Sequence, residues 1–187
     1  MERIESRGIK AKWRKELKTR FAQLEEKEEK THQLIEHLSQ FLKSQSGDWC
    51  LYQALDSEIS LVQLLPKVPN ILWVYPRVMN GKLHFFEPKA GFETAAFGIL
   101  EPVPEGAREI SVKEISGFLV PGLGFDQKGG RIGKGKGYYD QALANYAGET
   151  VGISFSSLVV DELPKDAWDV KMKWLATEKG VVKIGKV

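Results

Sequence analysis

The residues from Gly129 to Asp140, GGRIGKGKGYYD, pack five glycines, three cations, two tyrosines and one carboxylate into twelve positions. Glycine lets a main chain approach an anion without a Cβ in the way and admits positive φ. Backbone N–H groups between a strand end and a helix start can cradle phosphate oxygens. Arg131 can grip a phosphate through two parallel hydrogen bonds, whereas Lys134 and Lys136 act as mobile point charges. Gly130 to Lys136 fits G-x-x-x-x-G-K, but Gly137 follows where a P-loop carries the Ser or Thr that holds magnesium. Gly133, Gly135 and Gly137 read G-x-G-x-G, which also misses the dinucleotide fingerprint. Asp140 is the nearest carboxylate that could replace the missing hydroxyl on Mg²⁺. Two readings of this composition stand side by side: an anion cradle with a metal ligand, or a flexible surface loop with an acid at a helix start.

Elsewhere the chain offers charge rather than a nucleophile. It has no G-x-S-x-G run, and its one cysteine, Cys50, lies in the apolar stretch WCLYQA, where a thiol fills core. His32, His37 and His84 lack metal-ligand spacing. The first two belong to a charged helical stretch, and His84 alternates with Leu83 and Phe85 in a strand-like run. Lys10 and Arg14 are one helical turn apart and share a face, which in a Lys-rich helix also fits plain solvation. Glu58 precedes an apolar stretch, where it could be a helix-start acid.

The elements that must hold these residues follow from periodicity. Residues 9–42 read as helix, with Leu17, Phe21 and Leu24 on one stripe and Leu34, Leu38 and Phe41/Leu42 on another. The run EEKEEK at 25–30 interrupts the stripe, and Thr31 is a candidate cap for a second helix. Apolar runs at 49–55, 71–76, 83–88, 117–122 and 150–155 read as strands, several apolar at nearly every position, as strands covered on both faces are. Residues 59–65 and 138–146 read as helices, and 174–184 as two short strands about Lys179-Gly180. Residues 88–108 read as a long surface loop. Strands alternating with helices predict an α/β fold with a largely parallel sheet, and ligands there sit beyond the carboxyl ends of strands.

Bulk properties narrow the partners. The 187 residues carry 27 Lys+Arg against 25 Asp+Glu, a formal net charge of +2. Near balance gives no bulk drive toward nucleic acid or an anionic membrane, so an anion site must be local. A single cysteine allows no internal disulfide and suits a reducing, cytoplasmic setting. The charged N-terminus predicts no secretory signal, and no apolar run reaches the roughly 18 residues of a membrane span.

The stretch PGLGFDQKGGRIGKGKGYYD, Pro121 to Asp140, closely resembles the signature of the 5-formyltetrahydrofolate cyclo-ligase family. The likeness extends more loosely over most of the chain. It takes in Lys10-x-x-x-Arg14, Glu58-Ile59, Pro76-Arg77, Gly98-Ile99-x-Glu101-Pro102, and Leu163-Pro164 followed by Asp169.

This resemblance implies a single three-layer α/β/α domain over 1–187, with residues 1–45 as an N-terminal helical segment packed on it. It implies an ATP- and Mg²⁺-dependent enzyme that converts 5-formyltetrahydrofolate into 5,10-methenyltetrahydrofolate, ADP and phosphate through a phosphorylated formyl group. Carried over residue by residue, Lys10 and Arg14 would touch ATP phosphates. Arg131, Gly133, Lys134, Gly135, Lys136, Gly137, Tyr138 and Tyr139 would form the nucleotide loop. Lys136 would lie closest to the reacting oxygens, with Arg131 as its catalytic companion. Glu58 would hold the pterin beside Lys136 and Tyr139, and Asp140 and Asp169 would hold the metal. A monomer is expected, and the balanced charge predicts no nucleic-acid or membrane partner.

Three positions depart from the family pattern: Ser116, Leu158 and Lys173, where many relatives carry Asp, Gln and an acid. They motivate an alternative, a diverged member that binds ATP without cyclo-ligase activity. A second alternative is a nucleic-acid module, with Lys-Gly repeats tracking a backbone and tyrosines stacking on bases; the balanced charge argues against it. If Asp169 stood on the edge of the following strand, Lys173 would point to the same region.

Overall fold

The computed structural model describes residues 2–95 and 98–185. Seven strands form the central sheet: β1 (Gly47–Cys50), β2 (Ile71–Met79), β3 (Lys82–Phe86), β6 (Gly117–Pro121), β9 (Glu149–Ile153), β11 (Trp174–Thr177) and β12 (Gly180–Lys183). Their order is β12-β11-β9-β6-β1-β2-β3. The five inner strands are parallel, and β3 and β12 close the edges antiparallel. The central strands β6 and β9 are buried on both faces, as strands covered by two layers are. In β6, Leu119 packs into one core with Trp49, Val151 and Leu38, while Phe118 and Val120 pack into the other with Cys50, Val74 and Leu175. The buried Cys50 is core, as its surroundings in the sequence suggest.

The first face lies under α2 (Lys27–Leu42), which buries Leu34, Ile35, Leu38 and Leu42, and under a 3-10 turn, Val62–Lys67. The opposite layer is thin. Its one helix among the described residues, α3 (Tyr138–Ala142), has five residues and packs on β3. Leu143, Phe125 and Met172 complete that core. The N-terminal helix α1 (Glu2–Gln23) does not lie on the large sheet. It packs on β8 (Arg131–Ile132) and the 3-10 turn Ser156–Leu158, with Leu17 fully buried and Phe21 6.0 Å from Phe155.

Several boundaries differ from the sequence expectation. The helical segment breaks at residues 24–26, and Thr31 caps nothing; Glu26 turns the chain with φ 56° and α2 starts at Lys27. The expected helix at 59–65 is instead a 3-10 turn at Val62–Lys67 that takes in Pro66. The helix at 138–146 ends at Ala142. Strand pairing of the 49–55 run stops just past Cys50, with Leu51 N on Val74 O, after which the chain turns out of the sheet. The 88–108 stretch holds a hairpin, β4 (Phe92–Thr94) and β5 (Leu100–Pro102), whose Glu101 is buried and accepts from Val78 N at 3.2 Å. Among the described residues no helix is long and apolar enough to cross a membrane.

Candidate active site

Adjacent strands β1 and β6 send the chain in opposite directions, to β2 on one side and β9 on the other. Their carboxyl ends therefore flank a topological switch point, where open α/β sheets form crevices. From β1 comes the turn that carries Glu58; from β6 comes the glycine-rich segment.

That segment is not one unbroken loop. It leaves β6 at Pro121, forms a hairpin of β7 (Gly124–Asp126) with β8, and only then runs as loop from Gly133 to Gly137. β7 also pairs with β10 (Val159–Val160). Asp126 fixes the hairpin turn. It is 1% exposed and accepts from Lys128 N at 2.9 Å, Gly130 N at 2.7 Å and Leu163 N at 3.0 Å. A carboxylate with three backbone donors ties the glycine loop to the segment leading to Asp169. Sequence reasoning gave Asp126 no role, although Asp followed by Q-K-G-G is the signal of an Asx turn.

Arg131 is the centre of the site. Its side chain is 7% exposed, pairs with Asp140 Oδ2 at 3.0 Å, donates to Pro121 O at 3.2 Å and stands 5.5 Å from the Tyr139 ring centre. Its buried Nε has no hydrogen-bond partner among the described residues. Asp140, besides Arg131, accepts from Val170 N at 3.3 Å, the residue after Asp169. It thus serves as more than a helix-start acid.

The N-terminal helix closes one side. Arg14 Nε donates to Gly133 O at 3.0 Å, and Lys10 Nζ lies 2.7 Å from Asp166 Oδ2 and 2.5 Å from Asp169 Oδ2. The pair expected on one helical face does share it, and Lys10 is buried rather than solvated. Asp166, which sequence reasoning passed over, is part of this cluster. Gly135 (φ +100°) lies so close to Arg14 that an added Cβ would stand 3.3 Å from the guanidinium carbon, and Gly137 (φ +71°) starts α3. Both glycines hold left-handed conformations that other residues adopt only with strain.

On the other side Lys134 Nζ meets Glu58 Oε1 at 2.8 Å, and Glu58 Oε2 accepts from Leu55 N at 3.0 Å. Glu58 therefore caps its own turn and is no helix-start acid. Tyr52 and Tyr139 share this neighbourhood. Burial above all pushes both phenols well up, and the Glu58 charge adds to it. Lys136 is exposed and has no ion-pair partner among the described residues; Tyr138 is half-buried. The histidines lie apart from this cluster: His84 pairs with Glu109 at 2.7 Å, and His32 and His37 belong to α2.

Among the described residues no three His, Cys, Asp or Glu side chains gather as a metal site. Asp140 and Asp169 nonetheless offer two hard oxygen donors on adjoining segments. Mg²⁺ is commonly held by one or two carboxylates together with substrate phosphates and waters, so this donor set fits it.

Lys173 does not share a face with Asp169. Asp169 sits in a turn closed by its own N–H on Asp166 O at 3.1 Å, while Lys173 donates to Ala147 O, before the start of β9. Ser116 lies just before β6, with its N–H on Asp48 O, and Leu158 is buried in the core. Ser116 and Lys173 stand at the amino ends of the strands, away from the crevice, and Leu158 is a packing residue.

Comparison with known proteins matches residues 6–178 to the 5-formyltetrahydrofolate cyclo-ligase family. A 5-formyltetrahydrofolate cyclo-ligase of Haemophilus influenzae is 30% identical over 142 residues, 68% of this chain and 74% of its own. An NMR structure of 5,10-methenyltetrahydrofolate synthetase from Aquifex aeolicus superposes with a TM-score of 0.80 at 33% identity, covering 96% of this chain and 94% of that one. A synthetase from Mycoplasma pneumoniae gives 0.73 at 25% identity, over 90% and 98%.

Proposed function

Because the chain belongs to the 5-formyltetrahydrofolate cyclo-ligase family, we propose that it cyclises 5-formyltetrahydrofolate to 5,10-methenyltetrahydrofolate at the expense of ATP, with Mg²⁺. The observation that carries this reading is the Arg131 guanidinium. It is buried on β8, at the entry to the glycine loop by the sheet's switch point, with an Nε that the described residues leave unpaired. A buried N–H without a partner costs about 1–3 kcal/mol, and an incoming phosphate oxygen would remove that cost.

The formyl oxygen attacks the γ-phosphorus of ATP, and ADP leaves. The N10 lone pair then adds to the activated carbon. Phosphate departs with the former formyl oxygen, and the N10 proton is lost. Such phosphoryl transfer asks for positioning and charge neutralisation rather than a covalent nucleophile. Arg131, with backbone N–H groups of Gly133 to Gly137, binds phosphate oxygens; Arg14 and Lys10 close over them from α1. Lys136, on the exposed side of the loop, neutralises charge at the transferring group. Glu58 accepts the paired N–H donors of the pterin edge, and Tyr139 walls the same pocket. Asp140 and Asp169 would hold Mg²⁺, which when bound neutralises phosphate charge. Substrate phosphates then take over the cations these carboxylates now pair with. The reading carries with it a monomeric, cytoplasmic protein with no nucleic-acid or membrane partner.

Replacing Asp140 by Asn tests the metal role. Turnover should fall steeply and recover in part as Mg²⁺ is raised, with an unchanged circular dichroism spectrum. Normal rates at limiting Mg²⁺ would remove Asp140 from the metal.

A further inference from the structure

The two lysines of the glycine loop are not equivalent. Lys136 is exposed without an ion-pair partner among the described residues, whereas Lys134 is held 2.8 Å from Glu58. Within that pair the carboxylate is the fixed member. Its side chain is 10% exposed, Leu55 N donates to one of its oxygens, and Glu58 N donates back to Leu55 O at 2.8 Å. The ammonium is the movable member. It is one-third exposed and sits in a loop that contains left-handed glycines at 135 and 137. Its loop, Gly133 to Gly137, runs directly from β8, which carries Arg131, to α3, so any polyphosphate bound there competes for it.

We propose that the Lys134–Glu58 ion pair couples the phosphate loop to the pocket at Glu58: a polyphosphate draws Lys134 away and leaves Glu58 as an open acceptor for a second ligand with paired N–H donors. This rests on the nucleotide reading of the loop. Without nucleotide, the second ligand must displace Lys134 from a largely buried carboxylate. With nucleotide bound, Lys134 is already compensated by phosphate, and Glu58 gains by accepting the ligand's N–H groups. Binding is therefore cooperative and, by linkage, reciprocal. Nucleotide-first binding is the productive order. Lys134 acts as a positioning residue that reports phosphate occupancy to the folate pocket.

Calorimetric titration of Mg·ADP into the parent, Glu58→Gln, Lys134→Gln and the double variant, without folate, tests the coupling. The Glu58→Gln protein should bind Mg·ADP more tightly than the parent, on the order of tenfold, a typical allosteric coupling. Lys134→Gln should bind it more weakly, and Glu58→Gln should add nothing in the Lys134→Gln background. In a second titration, Mg·ADP should raise tetrahydrofolate affinity in the parent and not in Lys134→Gln; this arm does not depend on how well Glu58→Gln folds. Equal Mg·ADP affinity in Glu58→Gln and parent, or folate coupling that survives in Lys134→Gln, overturns the inference and leaves the nucleotide reading intact. A parent that binds no Mg·ADP overturns both.

Discussion

Among single residues, Arg131 is defined by what it is offered and what it lacks. Its charge is met by Asp140 and Pro121 O, its face by Tyr139, and its Nε by nothing described. Lysine would keep the charge but lose the planar fork and its second donor direction. Arg131→Lys should therefore lower kcat by about 10²-fold, the scale of losing one preorganised donor, while thermal stability changes little. Turnover within a few-fold of the parent would show that charge alone suffices. Arg131 and Asp140 drew notice in the sequence because cations spaced by glycine beside a lone carboxylate are an unusual composition, whereas Lys10 and Arg14 stood out only through the family resemblance, since such a pair on a Lys-rich helix fits solvation equally well. Asp126 was not. A buried carboxylate that only bonds main-chain N–H groups resembles any turn Asp until the chain is folded. Lys173 misled through a strand register that does not exist at Asp169, because a turn intervenes.

At the scale of elements, α1 is a clamp. Leu17 seats it against Gly124, Arg14 reaches Gly133, and Lys10 reaches the Asp166–Asp169 turn. The loop beneath must keep its left-handed Gly135 to leave room for Arg14. Gly135→Ala places a Cβ at φ +100° and 3.3 Å from the guanidinium carbon. Mg·ADP affinity should fall at least tenfold, about 1.4 kcal/mol, whereas the melting temperature shifts only a few degrees. Binding equal to the parent would show that the loop does not approach phosphate as described. Element types were readable from periodicity, but ends were not. The break at residues 24–26 comes from one left-handed Glu26, and the early end of α3 gives the loop little helix dipole. The phosphate site must rest on cations and main-chain N–H groups.

At the scale of the whole molecule, the mostly parallel sheet was legible because its inner strands are apolar on successive positions, which only two covered faces explain. Edge strands β3 and β12 carry no such mark. One consequence of the packed layers is a pH limit. Burial, above other causes, raises the phenols of Tyr52, Tyr75, Tyr139 and Tyr146, with Tyr75 pushed up to about 12. Unfolded tyrosine titrates near pH 10, so above that value the unfolded chain loses protons that the folded one keeps. The stability these phenols contribute is present below about pH 10 and is lost as pH rises toward their folded values. Tyrosinate absorbance should thus appear together with loss of far-ultraviolet circular dichroism. Titration of all these tyrosines in a fully folded protein would contradict the packing described.

The most direct measurement of the central claim is formation of 5,10-methenyltetrahydrofolate from 5-formyltetrahydrofolate, followed by the near-ultraviolet absorbance of the product, with ATP and Mg²⁺ varied independently. Turnover should require both, with one ADP released for each product formed. Mg·ADP binding to a chain that turns over no 5-formyltetrahydrofolate would contradict it, and would mark a family member that has kept the phosphate loop and lost the cyclisation.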